Sequence, residues 1–199
     1  MNCKLLVFNN FYENPDEVRE FALKADYNSC HLPRFHTESY ATVNLLNKIE
    51  NLLYPLAGKI HDFYIPNINS SGDTYNGSFQ YGTSHKKPWI HIDVIDEIDT
   101  RWPSTWAGVI YLTPNPPVNT GTNLYKHKKF NDDIGKYDDF IIMEDRINKE
   151  KWELYTKVEN IYNRAIFYKV NQYHAADNYF GTELNNSRLF QVFFFNTEF

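Results

Sequence analysis

A mainly β α+β fold, a jelly roll with its N-terminal helices packed on one sheet, is the architecture this sequence predicts. Three observations carry the prediction. Aromatic residues make up 17% of the chain, with 15 Tyr and 15 Phe, the large side chains that pleated surfaces favour. Helix-period apolar patterning dominates up to about residue 60. From there on, short segments of strand period alternate with turn residues, a pattern that fits an antiparallel sandwich better than a parallel sheet.

The elements follow in order. Residues 4–8 read as a short strand. Asn14-Pro15-Asp16-Glu17 then opens a helix, with Asn14 as N-cap, Pro15 at the first helical position and Glu17 at the capping-box position. Val18, Phe21, Ala22 and Ala25 follow at helical spacing, which carries the helix to about Tyr27. Residues 31–40 read as an irregular connection. A second amphipathic helix covers 43–56, with Leu45, Leu46, Ile49, Leu52, Leu53 and Leu56 on one side and Pro55 near its end. The expected strands are 62–65, 75–82, 89–94, 106–113, 122–127, 165–170 and 188–195. Turn residues separate them, at Ser71-Gly72-Asp73, Asn115-Pro116-Pro117, Asn119-Thr120-Gly121 and Asn171-Gln172. Residues 131–160 interrupt the series with a charge-rich insertion expected to lie over one mouth of the jelly roll. Within it, 149–161 reads as helical, with Trp152, Tyr155 and Val158 on one stripe. The expectation is one domain over 1–199, with 1–60 as helical support and 62–199 as the β core.

Composition bounds the function. Charged residues are 23% of the chain and the net charge is −5, which fits neither a disordered segment nor a basic nucleic-acid-binding surface. Cys3 and Cys30 lack metal-motif spacing and read as two reduced thiols. The opening Met1–Phe8 stretch is too short for a secretory signal, and no apolar run approaches the roughly 20 residues that span a bilayer. A cytoplasmic protein is expected, without membrane or nucleic-acid partners, and its aromatic content makes a homodimer plausible.

His91-Ile92-Asp93 carries the chemistry. Side chains two apart on a strand share a face, so His91 and Asp93 can reach one metal ion. His174, from a distant strand, would complete a set of two imidazoles and a carboxylate that leaves coordination positions open. Taken alone, the pair also permits a blander reading, in which Asp93 merely orients His91 or both sit in a solvated loop. Arg188 opens the run Leu189-Phe190-Gln191-Val192-Phe193-Phe194-Phe195, so its guanidinium would be carried on a buried strand. A buried cation calls for an anionic partner. Competing residues rank lower. His36 and Glu38 share the spacing but precede the strand region, His127 reads as a solvated strand end, Arg164 as structural and Asp177 as a turn residue.

The order His91-Ile92-Asp93, Tyr111-Leu112-Thr113, Gly121-Thr122, His174 and Arg188 resembles the 2-oxoglutarate/Fe(II)-dependent oxygenase superfamily, particularly its prolyl-4-hydroxylase-like branch, over about residues 79–195. The runs 11–19 and 162–168 look like those of an uncharacterised branch in bacteria and phages, which would place a phage-encoded chain in the host cytoplasm. The resemblance implies a double-stranded β-helix. It implies a dioxygenase that hydroxylates a C–H bond of a small-molecule or peptidyl substrate, with Fe(II), 2-oxoglutarate and O2. His91, Asp93 and His174 would be the catalytic metal ligands, and Arg188 would take the distal carboxylate of 2-oxoglutarate. Two positions depart from the family pattern. Members with Arg often carry Ser two residues on, where this chain has Phe190, and the turn is Asn119-Thr120-Gly121-Thr122 instead of a double glycine. Tyr81, on the preceding strand, is the residue expected to complete the pocket, while Tyr111 reads as packing. Two other classes compete: a non-catalytic jelly-roll binding or structural protein, and a cupin-type metal-dependent hydrolase or isomerase. The first has no use for a complete ligand set plus Arg188, and the second leaves Arg188 without a role.

Overall fold

The computed structural model describes residues 3–29, 35–62, 76–93, 105–135 and 143–198. In chain order the elements are β1 (Leu5–Phe8), α1 (Pro15–Lys24), β2 (Asn28–Ser29), β3 (Phe35–Ser39), α2 (Val43–Ala57), β4 (Lys59–Asp62), β5 (Ser78–Gly82) and β6 (Trp106–Tyr111). They continue with β7 (Thr122–His127), α3 (Met143–Ile147), β8 (Trp152–Val158), β9 (Ala165–Lys169), β10 (His174–Ala176) and β11 (Arg188–Glu198). Two antiparallel sheets result. The larger runs β1-β9-β6-β11-β5-β3-β2, with β4 on the far end of β11, and the smaller runs β10-β7-β8. Mainly β content in two antiparallel sheets is the arrangement of a jelly roll.

Strand period sorts the larger sheet into two faces. Trp106, Ile110, Ala165, Phe167, Leu189, Phe193 and Phe195 share one buried cluster with Ala22 of α1 and Ile49, Leu53 and Ala57 of α2. The alternate residues Ala107, Val109, Tyr111, Ile166, Tyr168, Phe190 and Val192 form a second cluster, which also takes Val158 from the smaller sheet. Central strands buried on both faces explain why 188–195 reads as one nearly unbroken apolar run. Each fully buried Leu, Ile or Phe contributes about 1.5–3 kcal/mol, so these two clusters dominate the stability.

The helices start and stop for local reasons. Thr42 caps α2 by accepting from the Leu45 N–H at 3.2 Å, and Gly58, at φ 87°, ends it. Pro55 is tolerated one turn from that end. Asn14 precedes α1 but makes no side-chain cap bond, and α1 stops at Lys24, short of Tyr27.

Four sequence expectations are corrected. Residues 35–39, expected as irregular, form β3, which pairs with β5. Residues 149–161, expected as helix, are a 3-10 turn followed by β8, an edge strand on β7. The register shifts between Leu124 and Tyr125, so Tyr155 is skipped. A bulge there breaks the two-residue period and leaves Trp152, Tyr155 and Val158 at a spacing that mimics a helix. Residues 152–158 are thus an integral strand of the smaller sheet. Residues 89–93 form no strand: His91 makes a single bridge to His174. Of the strand expected at 62–65, only Asp62 lies within the described residues, as the end of β4.

Candidate active site

Backbone pairing sets the distance between the two halves of the triad. His91 donates its N–H to the His174 carbonyl at 3.0 Å and accepts from the His174 N–H at 2.8 Å, and the Asp93 N–H donates to Val170 O at 2.8 Å. His91, Asp93 and His174 thereby present ligand atoms that all lie within 4.8 Å of one another. His91 Nε2 is 3.7 Å from Asp93 Oδ1, and His174 Nε2 is 3.3 Å from Asp93 Oδ2.

Hydrogen bonds behind the rings fix their orientation. His91 Nδ1 lies 3.0 Å from Trp89 O, and His174 Nδ1 lies 2.9 Å from Gln172 O. A carbonyl only accepts, so each Nδ1 carries a proton and Nε2 is the ring nitrogen turned toward the Asp93 carboxylate. Imidazoles that ligate a metal are oriented by this kind of bond behind them. Metal–nitrogen bonds of about 2.0–2.1 Å put adjacent ligand atoms roughly 3 Å apart, and the observed separations fit that.

Sequence reasoning missed one member of the cluster. Tyr168 sits in β9 on the inner face, its ring centroid 4.6 Å from that of His174. Its hydroxyl lies 3.1 Å from His174 Nε2 and 3.3 Å from Asp93 Oδ2. Alternation in Ala165-Ile166-Phe167-Tyr168 was the signal, but choosing the inner face required knowing where the helices pack.

Arg188, 3% exposed, opens β11 on the same inner face. Nε donates to Thr120 O at 2.9 Å, and one terminal nitrogen donates to Gly121 O at 3.4 Å and Thr122 Oγ1 at 3.3 Å. Among the described residues, none of these partners is an anion. Aromatic rings wall the guanidinium, with Phe190 at 4.6 Å, Tyr111 at 5.2 Å and Tyr179 at 5.8 Å from its carbon. Gly82 pairs opposite Arg188, and a Cβ there would come within 2.4 Å of the Tyr179 ring. The Tyr111 hydroxyl bonds Thr122 Oγ1 at 2.7 Å. Burial pushes the Tyr111 phenol up despite the nearby Arg188 charge, so it stays protonated. Tyr111 and Tyr168 belong to one buried cluster, which joins the arginine pocket to the triad.

Tyr81 does not join this group. It pairs with Leu189, whose side chain faces the helix layer, and packs against that core with its ring 5.3 Å from Tyr27. His127 is also placed differently from expectation. It is 2% exposed, with its ring 4.7 Å from Phe130 and 4.6 Å from Trp152. Asp177 is 3.1 Å from Lys157 Nζ.

The fold and the cluster define a double-stranded β-helix protein with a candidate metal triad beside a buried arginine. Three solved structures share this fold. A prolyl hydroxylase from Trichoplax adhaerens, in complex with a peptide fragment of a hypoxia inducible factor oxygen degradation domain, is 12% identical with a TM-score of 0.59. The match covers 98% of this chain and 84% of that one. HygX from Streptomyces hygroscopicus, with nickel and 2-oxoglutarate bound, is 10% identical with a TM-score of 0.60 over 98% of this chain and 84% of that one. A second HygX structure, which also holds hygromycin B, is 11% identical with a TM-score of 0.58 at the same coverage. No family model and no curated protein matches the chain. No described helix is long and apolar enough to cross a membrane.

Proposed function

We propose that this chain is an Fe(II)- and 2-oxoglutarate-dependent dioxygenase that hydroxylates a C–H bond of a small-molecule or peptidyl substrate. One juxtaposition carries the reading: an oriented His-Asp-His cluster joined, through one buried cluster, to a buried guanidinium with no anionic partner among the described residues. Bound iron would supply the oxygen activation that couples decarboxylation of 2-oxoglutarate to succinate and CO2 with transfer of the second oxygen atom to the substrate.

The chain's own residues hold and orient. His91 and His174 would ligate through Nε2, and Asp93 through its carboxylate. Arg188 would pair with the distal carboxylate of 2-oxoglutarate, a charge-assisted contact whose fork geometry selects a planar anion. In this reading the Tyr111 and Thr122 hydroxyls, bonded to each other beside Arg188, take the part expected of Tyr81. The rings of Phe190 and Tyr179 exclude water from the guanidinium, which strengthens the pairing. The two N-terminal helices form the support layer of a single domain. The resemblance and the free thiol of Cys3 are in keeping with a reducing cytoplasm.

Coupled succinate release tests the proposal. With a matching substrate, the wild-type protein converts 2-oxoglutarate only when Fe(II) is supplied, and His174→Ala abolishes both turnover and iron binding while the circular dichroism of the fold persists. Unchanged iron affinity in His174→Ala would show the assigned triad to be wrong.

A further inference from the structure

The smaller sheet has a second polar face. Thr122 bonds Arg188 and Leu124 pairs opposite His174, so the alternate residues Asn123 and Tyr125 project from the other side of β7. There a cavity of about 340 Å³ lies over them, bordered also by Lys149, Leu154, Lys157 and Asp177. That volume is in the range of sites that take small molecules. The metal triad and Arg188 use nothing on this side of the sheet.

The walls of the cavity hold unspent hydrogen-bonding capacity of both kinds. Asn123 is 3% exposed; its Nδ2 donates to Tyr125 Oη at 3.2 Å, while its Oδ1 has no hydrogen-bond partner among the described residues. Burial pushes the Tyr125 phenol up, so it keeps a proton to donate. Lys157 Nζ is fully engaged, with Asp177 Oδ2 at 3.1 Å, Glu159 Oε1 at 3.2 Å and Asn119 Oδ1. Lys149 Nζ, 4.0 Å from Asp177 Oδ1, is too far away to donate to it. Donors on Tyr125 and Lys149 therefore stand beside acceptors on Asn123 and Asp177. The charges cancel, since the two ammonium groups face the carboxylates of Asp177 and Glu159. An anion entering the cavity would meet the Asp177 carboxylate, and a cation would meet the Lys149 ammonium. Half-exposed Leu154 and the buried Trp152 add an apolar wall.

We propose that this cavity binds a neutral, polyhydroxylated molecule of monosaccharide size. A hydroxyl both donates and accepts, so neighbouring hydroxyls on one ring serve Asn123 Oδ1 and Asp177 as donors and take the protons of Tyr125 Oη and Lys149 Nζ as acceptors. The C–H face of the same ring covers Leu154. The site is independent of the metal-site reading, because it lies on the opposite face of the sheet.

Saturation-transfer difference NMR on the full chain tests the assignment. The probe is a mixture of glucose, galactose, mannose, ribose and N-acetylglucosamine. It is applied to the wild type, to Tyr125→Phe and to Lys149→Met, whose parent side chain is 61% exposed and therefore not needed for folding. The expected results are transfer to at least one sugar in the wild type, and an affinity about 10-fold weaker in each variant. Adding Zn(II) and 2-oxoglutarate should leave the wild-type affinity unchanged. No transfer to any of these sugars, or equal affinities in the wild type and both variants, would overturn the assignment. So would binding that Zn(II) and 2-oxoglutarate abolish, since the sugar would then occupy the metal pocket. Failure of the protein to bind Zn(II) would count against the metal triad and leave this site standing.

Discussion

Arg188→Met separates a co-substrate anchor from a structural cation, because the two roles predict opposite balances. The Arg188 residue is 3% exposed, and the shortest hydrogen bond of its guanidinium among the described residues runs to Thr120 O at 2.9 Å. Removing it orphans that carbonyl, at about 1–3 kcal/mol. The Thr122 hydroxyl keeps its partner in Tyr111. In the other direction, an unpaired buried ion carries a desolvation penalty of several kcal/mol, which methionine removes. Its flexible thioether also packs well among the rings of Phe190 and Tyr111. The ligand-free variant is therefore expected to be as stable as the wild type or up to about 2 kcal/mol more stable. Binding should respond the opposite way. Loss of a buried charge pair weakens 2-oxoglutarate by about 2–5 kcal/mol, or roughly 30- to 4,000-fold in Kd. Urea denaturation without ligand and calorimetric titration of 2-oxoglutarate into the zinc-loaded protein give the two numbers. A variant that loses about 3 kcal/mol or more in stability yet binds 2-oxoglutarate unchanged would refute the reasoning, since Arg188 would then be a cation the fold needs.

Two further substitutions probe the frame around the site. Gly121→Ala would put a Cβ 1.8 Å from Val158 O and 2.8 Å from Asn160 N, both backbone atoms that cannot swing aside. A loss of roughly 3 kcal/mol or more is expected by chemical denaturation, and a change below about 1 kcal/mol would contradict it. His127 should make the protein sensitive to acid. Burial holds its imidazole below the ordinary 6.5, against the opposing pull of Asp145, while Lys129 and Lys151 add to the lowering. Neither ring nitrogen has a hydrogen-bond partner among the described residues. The unfolded chain therefore takes up a proton that the folded chain resists, so the stability contribution is whole above pH 6.5 and declines as pH falls below it. His127→Phe should lose less between pH 7 and pH 5 in urea midpoint than the wild type, and equal losses would exclude His127 as the source.

Much of the fold was legible because both periods are strong where the core is deep. Residues 122–127 are β7 as the alternation predicted, and the second helix extends one residue past its expected end. The triad residues were legible as a spacing, and the structure brings their ligand atoms within 4.8 Å of one another, though through a single bridge at His91. What failed has particular causes. The bulge at Tyr155 erased the strand period of β8. His127 carried no sequence sign of burial, since Trp152, which closes its box together with the nearby Phe130, comes from the next strand. Tyr81 and Tyr168 illustrate one ambiguity. Alternation tells which residues share a face, but the face that meets the helices is set by packing between distant segments. Tyr81 went to the helix side and Tyr168 to the inner side.

The account's central claim is that the triad and Arg188 together hold iron and 2-oxoglutarate, and one anaerobic spectrum tests it most directly. Fe(II) and 2-oxoglutarate are added to the protein without oxygen, and the visible region is recorded. The account predicts the weak charge-transfer band of a keto acid chelated to iron, absent in His174→Ala and, at the same 2-oxoglutarate concentration, much reduced in Arg188→Met. No band in the wild type at saturating 2-oxoglutarate, or an undiminished band in His174→Ala, would contradict it.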